Sequence, residues 1–458
     1  MRILLWHGYL LGGTGSNVYT RALAREWSRA GHDVVVVCQE PHPERYDLGG
    51  AKVFRPNIGG LLPVFVLDRY DGLEAKLLQD FTHAERARYV ALNATALCAQ
   101  MPADLVFANH VLLGAAVGYA SGMPFVVKAH GSELEYSMRG NEELAAWGRD
   151  CLELAEAVFV GSAHIRKVLE DVVGHVERVH EVPPGVDVDE FRPNSREAAL
   201  ARLLEEARAD ADNPANADER QPDDGNAARL EEFQPSRSRD ESLTRLLEEA
   251  RADTPNPANA SERQPDDGNA ARLEEFFATD EPTVVYFGKL LHNKGIHVLL
   301  EALRSVDARA LIVGFGDYRQ ELELIAPPGT LFTGPLEHRH LVHLLPLADV
   351  TVVPSIFPEA FGMVAAEAAA AGSPPLVARH SGLAEIAEGL EDEYPPEHRH
   401  LASFANGDAG DLAAKLGELL ALPPETRAEL GAAARRAAVA RWSWTSVAAR
   451  LLAPIERG

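Results

Sequence analysis

An α/β chain with two parallel-sheet domains is what the sequence predicts, and three observations carry the expectation. Short β-branched runs at Arg2–His7, Asp33–Cys38, Pro282–Lys289 and Val350–Pro354 alternate with helical stretches, the βαβ pattern of buried parallel strands. Glycines cluster where the first of those strands ends, at Gly12, Gly13 and Gly15. That is the edge at which open α/β sheets meet ligands. Finally, 458 residues exceed what one core organises, and a hydrophobic content of 46% supplies two.

Composition narrows the function classes. A formal charge of −25 argues against a general nucleic-acid binder and against broad adhesion to anionic membranes. The apolar start MRILLWHGYLLGG is brief and runs into glycines, so it reads as a first strand rather than a targeting segment. No apolar run approaches the ~18 residues of a membrane span, which leaves at most peripheral membrane contact. Cys38, Cys98 and Cys151 are odd in number and widely spaced, which fits free thiols in a reducing cytoplasm.

In chain order, the strand Arg2–His7, the loop Gly8–Ser16 and a helix over Asn17–Ala30 lead to the strand Asp33–Cys38. A dinucleotide site with Glu40 on the ribose is a rival for this unit. The third glycine it needs is missing, because Gly13-Thr14-Gly15 is followed by Ser16 and Asn17. Gly13 is a candidate to touch a ligand. A helix over Ala84–Gln100 and strands at Asp104–His110 and Pro124–Gly131 follow. His130 ends the last of these beside Gly131, where an imidazole can donate to a sugar hydroxyl or a developing oxyanion. His110 ends the preceding strand in less distinctive surroundings. Asp187 and Asp189 form a D-x-D, a metal-binding pattern in other enzymes. The flanking Pro183-Pro184-Gly185 and Phe191-Arg192-Pro193 instead resemble an interdomain linker, over 186–194.

Residues 203–233 recur at 246–276, with differences only at Ala211, Asp212 and Asp218. The span 195–280 carries 22 acidic side chains against 11 arginines. It is expected to be a mobile acidic insertion holding a duplicated segment, each unit a short LLEEARA helix, a polar loop and an AARLEEF helix. Two units are fewer than a solenoid needs.

The second domain begins at Pro282–Lys289, and Leu290–Gly295 turns into a helix. Lys289 and Lys294 flank that turn. His338, His340 and His343 form a tempting cluster, but only two share a helix face and no carboxylate or cysteine completes a zinc set. The richest stretch is Val353–Ile386, a strand, a Pro/Phe/Glu/Gly turn and an Ala-rich helix starting near Phe361–Met363. The first-turn amides of Phe361, Gly362, Met363 and Val364 are unpaired at the positive end of the helix dipole, which suits a phosphate or sugar oxygens. Glu359 and Glu367 bracket the helix start, and a carboxylate accepts well from a vicinal diol.

The string E-A-F-G-M-V-A-A-E, with P-S before it and A-A-G-S-P after it, resembles the E-x7-E element of retaining family 4 glycosyltransferases. The H-G-S-E string at His130 and the P-P-G-V-D linker are similar to other parts of that family. The resemblance covers nearly all of the chain outside 195–280. It implies a GT-B fold, two Rossmann-like domains facing across a cleft: an acceptor-side domain over 1–185 joined by a C-terminal helix, 441–458, and a nucleotide-sugar domain over 281–440. It implies metal-independent transfer from a nucleotide diphosphate sugar, with no further cofactor, to an acceptor the sequence does not name, whether small molecule, glycan or lipid-linked. It places Glu359 and His130 at the donor sugar and Glu367 at the ribose. Lys294 and Lys289 would lie over the leaving diphosphate, and Gly288 and Gly314 where the backbone approaches the nucleotide. Lys289 stands where the family commonly has Arg, which keeps the charge and loses the bidentate fork. Rival readings are a GT-B relative such as a nucleotide-sugar epimerase or phosphorylase, and a silent nucleotide-binding scaffold.

Overall fold

The computed structural model describes residues 1–12, 15–65, 72–209 and 269–456. Gly13 and most of the duplicated segment, 210–268, lie outside them. The chain divides into two compact units, Met1–Gly185 with the chain from Trp444 on, and Val186–Ser443.

In the first unit the strands are β1 (Arg2–Trp6), β2 (Asp33–Val37), β3 (Lys52–Phe54), β4 (Leu61–Val64), β5 (Glu74–Leu77), β6 (Leu105–Asn109), β7 (Phe125–Lys128), β8 (Ala157–Val160) and β9 (Val179–Glu181). Seven of them form one sheet in the order β3-β2-β1-β6-β7-β8-β9, parallel throughout, and β4 and β5 pair separately. The helices are α1 (Gly15–Arg29), α2 (His83–Cys98), α3 (Gly114–Ala120), α4 (Glu142–Leu152) and α5 (Ala163–Val173). The strands read as continuous apolar runs because both faces are covered. Leu4, Trp6, Val35 and Val37 enter one core, and Ile3, Leu5, Val34 and Val36 enter the other. The second core is closed by the last helix of the chain, Trp444–Glu456, whose Val447 and Leu451 are buried there. It is pinned to α1, where Trp27 Nε1 donates to the Ala448 carbonyl at 3.0 Å. The helix starts at Trp444 rather than at Arg441, because Trp442 belongs to the core of the second unit.

The second unit holds α6 (Arg196–Ala209), α7 (Asn269–Phe276), β10 (Thr283–Phe287), α8 (Ile296–Ala302), β11 (Arg309–Val313), α9 (Arg319–Ile325), β12 (Thr330–Gly334), α10 (His338–Leu344), β13 (Val350–Val353), α11 (Met363–Ala371), β14 (Pro375–Ala378), α12 (Ser381–Glu393), β15 (Ser403–Phe404), α13 (Ala409–Ala421) and α14 (Pro424–Ala437). Its sheet is parallel in the order β12-β11-β10-β13-β14-β15.

The structure corrects the expected insertion at both of its ends. Helix α6, within 195–209, and α7, within 269–280, are not part of a mobile excursion. Ala199, Leu203, Leu204 and Ala207 of α6, and Leu273, Phe276 and Phe277 at α7, are buried in the core of the second unit. Arg208 pairs with Glu274 across the two helices at 3.0 Å, and the Arg309 guanidinium stacks 4.2 Å over Phe276. Acidic composition concealed this, because an amphipathic helix hides its apolar residues on one stripe only.

Candidate functional site

In the second unit β10 and β13 lie side by side at the point where strand order reverses, and open sheets place ligands beyond the carboxyl ends of such strands. The loops after these strands are pressed together by glycines. A Cβ at Gly295, φ +69°, would lie 1.9 Å from the Pro354 carbonyl oxygen, and one at Gly314 would lie 1.8 Å from the Gly288 oxygen. Only glycine permits either approach.

That approach sets Lys294 against Glu359. Lys294 Nζ donates to Glu359 Oε1 at 2.6 Å, and Ser355 Oγ donates to the same oxygen at 2.7 Å. Oε2 takes neither bond. Burial pushes Glu359 up, but the Lys294 ammonium, the Ser355 hydroxyl and His380 outweigh it and hold the carboxyl below its ordinary value. The backbone of Glu359 is fixed as well. Its N–H donates to Ser381 Oγ at 2.8 Å and its carbonyl accepts from Gly382 N–H at 3.0 Å. His380 Nε2 donates to the Ser355 carbonyl at 2.6 Å, and its Nδ1 lies 3.1 Å from Ser381 Oγ. Ser381 sits at φ +46°, a left-handed conformation costly for a non-glycine residue and frequent at functional sites.

Ser355, His380 and Ser381 were not anticipated as site residues. The available signal was their place: each lies in or at the end of the short loop after the carboxyl end of a strand, β13 or β14.

Helix α11 begins at Met363 behind Gly362, which sits at φ +112° with a Leu383 methyl where a Cβ would point. The Phe361 side chain is buried and edge-on to Trp442, so Phe361 offers a ligand its backbone only. Val364 packs on the core, as does Met363. Glu367, one turn into the helix, is half-buried, and burial pushes its carboxyl up to about 7, with His338 partly opposing. Gly288, at φ +149°, opens the loop after β10, where the Tyr286 hydroxyl donates to the Lys289 carbonyl at 2.8 Å.

Two other groups of residues have structural uses. Asp187 Oδ1 accepts from the backbone N–H groups of Asp189 and Glu190, both at 3.1 Å, closing a turn. The three histidines diverge. His338 pairs with Glu190 at 2.7 Å, His340 Nδ1 accepts from Glu337 N–H at the start of α10, and burial lowers His343.

In the first unit, His130 Nε2 lies 2.7 Å from Asn109 Oδ1, and its backbone N–H donates to Glu133 Oε1 at 3.0 Å. Burial first, then His110 and Lys128, hold the imidazole well below its ordinary value, so it is neutral.

A raised carboxyl is also a stability statement. In its folded state Glu367 prefers the proton, so folding is penalised progressively as pH rises from ~4.5 to about 7 and by a constant amount above that. Glu367→Gln is therefore expected to raise stability by on the order of 2 kcal/mol at pH 8 and to change little at pH 4.5. Thermal melts of both proteins across that range test this, and a gain independent of pH would refute it.

Two parallel α/β units, each with its polar residues at the carboxyl ends of strands, define a GT-B frame. Solved structures of low identity share it over the whole chain. Sucrose-phosphate synthase from Thermosynechococcus elongatus matches with a TM-score of 0.57 at 20% identity, covering 100% of this chain and 98% of that one. Anabaena HepE, in complex with UDP and glucose, matches with a TM-score of 0.61 at 16% identity, covering 100% of each chain. In sequence, residues 13–190 match Glycosyltransferase Family 4 and residues 269–437 match Glycosyl transferases group 1. The chain belongs to the family 4 glycosyltransferases. Among curated relatives, a GDP-mannose-dependent monoacylated alpha-(1-6)-phosphatidylinositol monomannoside mannosyltransferase of Corynebacterium glutamicum is 31% identical over 192 residues, 38% of this chain and 47% of that protein. A D-inositol 3-phosphate glycosyltransferase of Xylanimonas cellulosilytica is 34% identical over 185 residues, 38% of this chain and 42% of that one. The chain thus spans less than half the length of these relatives.

Proposed function

We propose that this chain transfers a sugar from a nucleotide diphosphate sugar to an acceptor, with retention of anomeric configuration and without a metal. The carrying observation is the Glu359 carboxylate, clamped through one oxygen by Lys294 and Ser355 beside the start of α11. Its second oxygen can accept from hydroxyls of the donor sugar. The Lys294 ammonium has three N–H donors, and those not used by Glu359 can serve the diphosphate, where negative charge grows as the glycosidic C–O bond breaks. The amides of Met363 and Val364 at the head of α11 suit a phosphate, and Glu367 suits the ribose diol. Glu367 enters that contact as a carboxyl already raised by burial, so hydroxyl donors would draw it toward its ionised form. In the first unit His130, and in the second Lys289, belong to the same proposal as contacts to the sugar and the diphosphate. A nucleotide-sugar donor also agrees with the UDP and UDP-glucose found on HepE.

The test is thermal stability against UDP, GDP, ADP and dTDP, each with EDTA present. Anything that binds only the native state raises the midpoint, by an amount worth about 2.7 kcal/mol at one hundred times Kd. One nucleoside diphosphate is expected to shift the midpoint and the others to shift it far less. Transfer from the matching nucleotide sugar, followed by NMR of the product anomer, then tests retention. An inverted anomer would overturn the stereochemical part, and a response that needs a divalent cation would overturn metal independence.

A further inference from the structure

The first unit carries a second polar cluster, of which the proposal above uses only His130. Strands β1 and β6 flank the switch point of its sheet, and each is followed at once by a histidine, His7 and His110, with His130 two residues beyond β7. The rings adjoin, with His110 centred 5.9 Å from His7 and 4.7 Å from His130. Tyr9 and Phe65 flank His110 at 5.4 and 5.0 Å.

Beneath them lies Glu133, with no exposed surface. A buried carboxylate needs donors, and Glu133 has four. Oε1 accepts from the backbone N–H of His130 at 3.0 Å and of Val111 at 3.3 Å, while Oε2 accepts from His110 Nδ1 at 3.3 Å and Ser132 Oγ at 3.4 Å. Burial alone would raise this carboxyl, but His110 and these hydrogen bonds outweigh it and keep it ionised. An ionised carboxylate only accepts, so Nδ1 of His110 carries a proton. In the neutral ring that leaves Nε2 as a bare acceptor. His110 is 98% buried, and Nε2 has no hydrogen-bond partner among the described residues. Burying such an acceptor unpaired is unfavourable, and a carboxylate spent on orienting it is the arrangement by which a third group aims an imidazole at a ligand.

We infer that His110 is a substrate-contacting residue whose Nε2 accepts a hydrogen bond from a sugar hydroxyl, and that Glu133 is the positioning residue that selects its tautomer. This rests on the sugar-transfer reading above. The hydroxyl belongs either to the sugar of the donor or to a polyol acceptor, and the experiment separates them.

Imidazole nitrogens are followed by long-range 1H–15N NMR of histidine-labelled protein, with His110→Gln assigning the resonance. In the wild type, Nδ1 of His110 is expected to be protonated and Nε2 bare, with Nε2 shifting on addition of ligand. A shift with UDP-glucose or GDP-mannose but not with the parent diphosphate assigns the contact to the donor sugar. A shift with free glucose, mannose or inositol assigns it to the acceptor. Glu133→Gln turns an amide N–H₂ toward Nδ1 and is expected to move the proton to Nε2, a signature that loss of packing alone would not produce. In kinetics, His110→Ala is expected to lower kcat/KM by roughly 10- to 100-fold, and His110→Gln, whose amide oxygen can take the place of Nε2, to recover part of it. A wild-type ring protonated on Nε2 would overturn the inference. So would an Nε2 signal indifferent to every sugar ligand while a nucleoside diphosphate still raises the thermal midpoint, and that result would leave the sugar-transfer reading standing. No response to any nucleotide would sink both.

Discussion

Glu359→Gln is expected to reduce sugar transfer by about 10²-fold or more while leaving the protein folded and its affinity for the nucleoside diphosphate within a few-fold of wild type. The substitution keeps the shape of the side chain and removes its charge. The charge is what Lys294 and Ser355 converge upon, at 2.6 and 2.7 Å. Without it Oε2 becomes a weaker acceptor, and the ammonium is no longer held beside the place where a leaving diphosphate gains charge. Loss of one fixed group of this kind from a preorganised site costs roughly 3 kcal/mol of transition-state stabilisation. Ser355→Ala removes one hydrogen bond to the carboxylate and Ser381→Ala one to the Glu359 backbone N–H, and each is expected to cost less, about tenfold. Steady-state kinetics with the cognate donor, beside nucleotide titrations, decide this. A Glu359→Gln enzyme of wild-type kcat, or one whose whole defect lies in nucleotide affinity, would remove Glu359 from the reacting end of the donor.

Removing residues 195–280 is the second large effect, and the expected outcome is collapse of the second unit. The cut would take Leu203, Leu273, Phe276 and Phe277 out of its core and leave Arg309 without the ring it stacks on. Buried Leu and Phe side chains contribute about 2–5 kcal/mol each, so their joint loss exceeds the stability of an ordinary domain. Excising one period, residues 210–252, is expected to do very little. It joins Ala209 to Asp253, rebuilds a single copy of the repeated unit, and keeps both α6 and α7. Leu273→Asp alone, by placing a charge in that core, is expected to lower stability by about 4 kcal/mol. Thermal and denaturant unfolding of the three proteins tests the set. A 195–280 deletion that melts like wild type would show that α6 and α7 are dispensable.

The contrast between these two regions shows what could be read without coordinates. Glu359, Glu367 and Lys294 stood out because their chemistry is tied to local pattern: a carboxylate just before a helix, another one turn inside it, and a lysine ahead of a glycine that must turn. Which of these groups touch was not legible. Lys294 and Glu359 are 65 residues apart and meet only because a Cβ-free Gly295 lets one loop lie on the carbonyl of the other. Glu359 is held by Lys294, and Glu367 has its neighbour in His338. His110 was set aside because a histidine at a strand end is unremarkable until Glu133, 23 residues on, is seen beneath it. The acidic helices were misjudged because charge dominates composition while burial depends on a single stripe.

By itself the sequence determined the parallel α/β class and the strand-end placement of the polar loops, which follow from periodicity and from residues whose backbone demands are local. The family was legible through resemblance of its motifs. Tertiary structure alone decided that α6 and α7 are core, which oxygen of Glu359 is clamped, which carboxylate His110 meets, and that the last helix closes the first unit from Trp444. Each of those depends on distances between groups far apart in the chain. Burial and hydrogen-bond direction then select one arrangement from many that the same residues could have made.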